Sequence, residues 1–107
     1  MKKLFLVGGG TGGHCIPINV VYSKAPKNFK CFILTDHRGK KYFDNISSNN
    51  VIVLRNLIYS QSRLADIINT PFLFIQSLLY NLKIKPDYTL GFGGFFTIPV
   101  LFASLIM

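Results

Sequence analysis

The sequence is poor in acidic residues, and this scarcity leaves the chain strongly basic. It holds four acidic side chains, all of them aspartates, against twelve lysines and arginines, so the formal net charge at pH 7 is +8. Such an excess favours an anionic partner: a nucleic acid, a phosphorylated substrate or an acidic membrane surface. Neither an RNA-binding signature nor zinc-ligand spacing accompanies the basic residues. We therefore expect no nucleic-acid partner.

Cysteine and long hydrophobic runs are scarce as well. Cys15 and Cys31 are the only cysteines, and we expect reduced thiols rather than the disulfide scaffold of a secreted domain. The apolar residues 4–7 are too few for the core of a signal peptide. Residues 98–107 make about half of a membrane-spanning helix. Because this last apolar segment ends without a cap, we expect it to pack under further structure in a larger protein.

Apolar runs and turn signals alternate along the chain. Strands are expected at residues 4–7, 30–35, 51–54 and 88–90, and helices at residues 16–23, 62–82 and 97–107. Pro17 is expected near the start of the first helix, where its missing N–H is tolerated. Pro71 is expected to kink the second helix or to begin a new one. This order predicts an α/β fold, in which a Rossmann-like parallel sheet is wound with helices.

Two glycine-rich loops stand out in this pattern. Residues 8–14 (GGGTGGH) follow the first predicted strand, and residues 91–94 (GFGG) follow the fourth. Glycine lets backbone N–H groups approach an anion closely, and a helix that follows the loop adds positive potential at its N-terminus. In a parallel sheet both loops lie at the carboxyl edge, where ligands bind. The two loops therefore predict a site for a phosphorylated ligand.

Two interpretations of the first loop stay open on these residues alone. Gly8, Gly10 and Gly13 fit the dinucleotide fingerprint, and Asp36 ends the second predicted strand where a ribose-binding acid would stand. A small nucleotide-cofactor module of this kind accounts neither for His14 nor for the second loop. His14 is either a proton acceptor or a brace for the loop. The basic residues 38–41 (RGKK) either neutralise phosphates or form a solvated loop.

Longer strings around both loops carry a family resemblance. Residues 9–17 (GGTGGHCIP) and 85–99 (KPDYTLGFGGFFTIP) resemble, in the same order, the two glycine-loop motifs of glycosyltransferase family 28, in particular of its members in peptidoglycan synthesis. The resemblance implies a GT-B fold with two Rossmann-like domains. Residues 1–107 would then be an incomplete N-terminal, acceptor-binding domain, without the C-terminal donor-binding domain.

The resemblance also implies an activity and its partners. The C4 hydroxyl of a muramoyl-peptide carried on undecaprenyl diphosphate attacks the anomeric carbon of UDP-N-acetylglucosamine with inversion, and no metal or cofactor takes part. His14 is expected to be the general base. The residues expected to contact the donor or diphosphate groups are Gly10, Thr11, Gly12 and Gly13, and those expected at the acceptor diphosphate are Gly91, Gly93 and Gly94. We expect the 107 residues alone to be inactive.

A hydrophobic stripe on the second predicted helix raises the question of a membrane. Four apolar residues recur there at helical spacing between flanking basic residues: Ile68, Phe72, Ile75 and Leu79. A stripe of this kind either packs into the core or rests on an anionic bilayer surface. The family resemblance favours the cytoplasmic face of the bacterial inner membrane. It leaves room for a further hypothesis, in which the chain is a non-catalytic anchoring subunit for a separate donor-domain chain.

Overall fold

Four parallel strands form a single sheet in the computed structural model, which describes residues 2–9, 12–55, 57, 63–93 and 97–106. The strands are β1 (Lys2–Val7), β2 (Phe29–Thr35), β3 (Val51–Val53) and β4 (Tyr88–Gly91). Their order is β3-β2-β1-β4, and every pair of neighbours runs parallel. The predicted parallel sheet is confirmed. The order places β1, which precedes the first glycine loop, between β2 and β4. The second glycine loop follows β4.

Three helices connect and follow the strands. They are α1 (Gly12–Lys24), α2 (Arg63–Ile84) and α3 (Thr97–Ile106), and two short 3-10 turns, Lys40–Phe43 and Ser48–Asn50, lie between β2 and β3. Side chains alternate across each strand, and the two inner strands, β1 and β2, are buried on both faces. One face of β1 and β2 packs against α1 through Cys15 and Ile18. The other face packs against α2 and α3 through Leu73 and Val100.

The predicted position of Pro17 near a helix start was wrong, and so was one of the two alternatives for Pro71, that it begins a new helix. Helix α1 begins at Gly12, four residues before the predicted start, so that Pro17 lies inside it. Helix α2 runs through Pro71 as one element, and no second helix begins there. A proline cannot donate to the carbonyl four residues earlier. These carbonyls belong to Gly13 and Ile67, which are both exposed, so water can take the place of the missing donors.

Helix α2 turns its polar side inward. Its buried residues recur every fourth position: Ala65, Asn69, Leu73, Ser77 and Asn81. The Ser77 hydroxyl donates to the Leu73 carbonyl oxygen at 2.8 Å, and Asn81 Nδ2 donates to the Ser77 carbonyl oxygen at 2.7 Å. Because the helix itself accepts these hydrogen bonds, the side chains are buried without an unsatisfied donor. The opposite side of α2 exposes large apolar residues: Leu64, Ile67, Ile75, Leu79 and Leu82.

Candidate functional site

The two glycine loops meet at the carboxyl edge of the sheet. The N–H of Gly8 donates to the Leu34 carbonyl oxygen at 3.1 Å, and the N–H of Phe92 donates to the Val7 carbonyl oxygen at 2.9 Å. These bonds extend the ladders of the central strand on both sides, toward β2 and toward β4. The chain therefore leaves β1 and β4 side by side, and the segments that follow these two strands begin next to each other.

His14 bridges the two loops. It is the third residue of α1 and half-buried. A methyl group placed on Gly93 would lie 3.2 Å from His14 Cδ2 and 3.3 Å from His14 Nε2, so the imidazole lies directly against the Cα of Gly93. Gly93 has φ +105°, which favours glycine. The residue expected to act as base is thus in contact with the loop expected to hold the acceptor.

The beginning of α1 supplies backbone donors to this site. Gly12, Gly13 and His14 form its first turn, and the first N–H groups of an α-helix have no acceptor within the helix. Together with the helix dipole they make this end favourable for an anion. At the second loop, Gly91 ends β4. A methyl group on Gly91 would lie 2.7 Å from Leu101 Cδ1 of α3, so α3 packs closely against this loop.

The remaining predicted site residues lie outside the described residues: Gly10, Thr11 and Gly94.

Asp36 faces the first loop from the side of β2. Its side chain is 2% exposed, and Oδ1 accepts hydrogen bonds from the N–H groups of Arg38 at 3.1 Å and Gly39 at 2.9 Å. Arg38 Nη2 lies 3.5 Å from Asp36 Oδ2. A methyl group on Gly9 would lie 2.9 Å from Asp36 Cγ, so the carboxylate packs against the loop backbone. A carboxylate buried in its own turn is not placed to receive a ribose, which argues against the dinucleotide interpretation.

The turn after β2 is the part of the site whose arrangement our sequence reasoning missed. Asp36 and Gly39 stand at the first and fourth positions of a turn, the places that type I turns favour for aspartate and glycine. The buried Gly39 packs on the first loop, since a methyl group there would lie 3.4 Å from the Cα of Gly9. This Asp-x-x-Gly spacing is a sequence signal for the turn, whereas the contact of its carboxylate with the first loop is seen only in the structure.

Both cysteines are buried and are not placed to act as nucleophiles. Cys15 follows His14 but is 0% exposed. Burial, and next the charge of Asp36, raise the pKa of its thiol above the ordinary value, so the thiol is neutral at pH 7 and a weak nucleophile. Cys31 is also buried, and burial raises its pKa. Both are free thiols, as predicted.

The residues expected to contact a membrane divide into two pairs on α2. Ile75 is 54% exposed and Leu79 is 61% exposed, whereas Ile68 and Phe72 are half-buried. In the part of the chain that the structure describes, no helix has both the length and the apolar character needed to cross a bilayer.

The chain is similar along its whole length to curated proteins of one name, UDP-N-acetylglucosamine–N-acetylmuramyl-(pentapeptide) pyrophosphoryl-undecaprenol N-acetylglucosamine transferase. The protein from Pelagibacter ubique (strain HTCC1062) is 29% identical over 111 residues, which cover 99% of this chain and 30% of that protein. The protein from Rickettsia rickettsii (strain Sheila Smith) is 32% identical over 118 residues, which cover 100% of this chain and 28% of that protein. The protein from Anaplasma marginale (strain St. Maries) is 28% identical, with 100% and 32% covered. The chain thus spans about 30% of the length of these relatives. No family model matches it.

Proposed function

We propose that this chain forms the acceptor-binding part of a peptidoglycan glycosyltransferase. The basis of the proposal is that the chain belongs by homology to the family of these N-acetylglucosamine transferases. In this proposal N-acetylglucosamine passes from its UDP donor to a muramoyl-peptide carried on undecaprenyl diphosphate. The relatives are about three times longer. We therefore assign the donor site to polypeptide other than these 107 residues, whether that polypeptide is continuous with this chain or separate from it.

The contact between His14 and Gly93 is the observation that carries this proposal. It joins the two glycine loops at one point of the sheet edge, next to the positive end of α1. A diphosphate carries two linked anionic groups. The N–H groups of the first turn of α1 suit one of them, and the second loop, which contacts His14, is adjacent and suits the other. A single loop of this kind would suit one phosphate equally well, so the pairing of the loops is what favours a diphosphate.

We assign to His14 the role of general base. A neutral imidazole nitrogen within hydrogen-bond reach of the acceptor C4 hydroxyl takes its proton as the oxygen bonds to the anomeric carbon and UDP leaves with the bonding electrons. In an active enzyme assembled from this chain and a donor domain, His14→Ala should lower kcat by about 10²- to 10⁴-fold. A rise in KM with unchanged kcat would instead identify His14 as a brace between the loops.

The chain by itself offers a first test of the assignment. By isothermal titration calorimetry, the purified chain should bind a water-soluble acceptor analogue, in which a short prenyl chain replaces undecaprenyl. It should not bind NAD. Mixed with the same analogue and UDP-N-acetylglucosamine, it should release no UDP. Selective binding of NAD would contradict the proposed function, and measurable turnover would contradict the assignment of the donor site to other polypeptide.

We further propose that the exposed side of α2 rests on the cytoplasmic face of an anionic membrane. Ile75 and Leu79 lie there, and the helix carries Arg63 at its first turn and Lys83 at its last. Apolar contact together with attraction of these cations to anionic lipid is the usual basis of such binding. Combined Ile75→Ser and Leu79→Ser substitutions should abolish co-flotation with phosphatidylglycerol vesicles. Val20→Ser on α1 is the control, because Val20 is exposed on the other side of the sheet. Equal flotation of both variants would contradict the proposal.

A further inference from the structure

The first glycine loop has a buried carboxylate directly against its backbone. A methyl group on Gly9 would lie 2.9 Å from Asp36 Cγ and 3.0 and 3.1 Å from the two carboxylate oxygens. A negative charge in this position repels an anionic ligand unless a cation compensates it. A loop proposed to hold a phosphate therefore needs a positive group close to Asp36.

Arg38 is placed to supply that charge. Its Nη2 lies 3.5 Å from Asp36 Oδ2, and its side chain is 47% exposed. Asp36 fixes the backbone on both sides of the arginine Cα, because Oδ1 accepts hydrogen bonds from the N–H groups of Arg38 and Gly39. Gly39 in turn packs against the Cα of Gly9. The turn that carries Arg38 is thus attached to the loop at two points.

We propose that Arg38 contacts a phosphate group held at the first glycine loop and that Asp36 is its positioning residue. A guanidinium has five N–H donors, so one part of the group can face the carboxylate while another reaches the ligand. Its planar fork matches a phosphate better than an ammonium group does. This inference rests on the proposed function, since it assumes that the loop binds an anionic ligand.

Inorganic pyrophosphate is the probe that tests this inference on the 107-residue chain. Arg38→Gln should raise the dissociation constant, measured by calorimetry at fixed low ionic strength, by about tenfold or more, as expected for loss of a charge-assisted hydrogen bond. The matched control is Lys24→Gln, which makes the same change in net charge at the exposed last residue of α1. Its effect should stay below about twofold, because it acts only through screened long-range attraction. Equal effects of the two variants would overturn the inference.

A second substitution separates binding from folding. Asp36→Asn keeps an oxygen for the two backbone N–H groups but removes the charge. In the Arg38→Gln background it should restore most of the lost affinity, because the negative charge that Arg38 offset no longer faces the loop. A purely structural role for the ion pair predicts the opposite, a further loss. Absence of any recovery would contradict the charge compensation.

The amide resonances of Gly9 and Gly93 distinguish failure of this inference from failure of the proposed function. If pyrophosphate leaves both resonances of the wild-type chain unmoved, the loops are not an anion site, and the proposed function loses its support together with this inference. If the wild-type chain binds at the loops and Arg38→Gln binds equally well, the role of Arg38 alone is overturned. Arg38→Lys, which keeps the ion pair but loses the fork, should show an intermediate loss.

Discussion

Replacement of Gly93 by alanine should destabilise the chain and displace the imidazole of His14. Gly93 has φ +105°, and a side chain at such a φ costs about 1 to 2 kcal/mol. The new methyl group would also lie 3.2 Å from His14 Cδ2 and 3.3 Å from His14 Nε2. Ordinary separations between carbon atoms are about 3.5 to 4.0 Å, so the ring must shift by a few tenths of an ångström.

Thermal unfolding, followed by circular dichroism, measures the first effect. One kcal/mol shifts the midpoint of a small domain by about 4 to 8 °C, so Gly93→Ala should lower it by roughly 4 to 16 °C. The His14 ring resonances measure the second effect. In a His14→Ala background, Gly93→Ala still strains the backbone but no longer meets the imidazole. The difference between the two decreases in midpoint is therefore the part that is due to the contact with His14. An unchanged midpoint with unchanged His14 resonances would refute the geometry of the two loops.

Four further predictions concern the scaffold of the fold. Gly39→Ala should destabilise the chain by about 1 to 3 kcal/mol in urea unfolding, because its methyl group would overlap Thr35 Oγ1; an unchanged midpoint would contradict the packing of the turn. Cys15 should react with Ellman's reagent only as fast as the chain unfolds, since its thiol is buried, and rapid labelling in native buffer would contradict this. Burial raises the pKa of the Cys15 thiol in the folded chain. The contribution of this thiol to the free energy of unfolding is therefore complete below the ordinary thiol pKa of about 8.5 and is lost as the pH rises further. The loss of stability at alkaline pH should be smaller in Cys15→Ala. Gln76→Ala should cost about 1 to 3 kcal/mol, because Gln76 Oε1 accepts from the Arg55 N–H at 2.9 Å and Gln76 Nε2 donates to the Arg55 carbonyl at 2.7 Å; a loss under that range would show that this pair adds little.

The sheet and its loops were predictable because their signals are local. Short apolar runs that end at glycines mark buried strands, and all four predicted strands are present within one or two residues at each end. The meeting of the loops follows from the parallel sheet, since the carboxyl ends of its strands share one edge. The contact between His14 and Gly93 did not follow from the sequence, because it depends on how far each loop extends beyond its strand.

The faces of α2 were harder to predict for a physical reason. Apolar spacing locates the buried side of a helix only when burial selects apolar residues. Here Ser77 and Asn81 are buried because carbonyl groups one turn earlier accept their hydrogen bonds. The apolar residues Ile75 and Leu79 lie on the opposite side of the helix and are exposed. A sequence pattern alone does not show which of the two sides of α2, the polar one or the apolar one, is buried. That depends on the contacts of α2 with the neighbouring helix and the sheet.

The most direct test of the central claim is a nitrogen-15 NMR titration of the chain with the soluble acceptor analogue. If the two loops and His14 form one diphosphate site, the amide resonances of Gly9, Gly13, His14 and Gly93 should move together and saturate with a single dissociation constant. Movement of one loop alone, or separate dissociation constants for the two loops, would contradict the claim that they form one site.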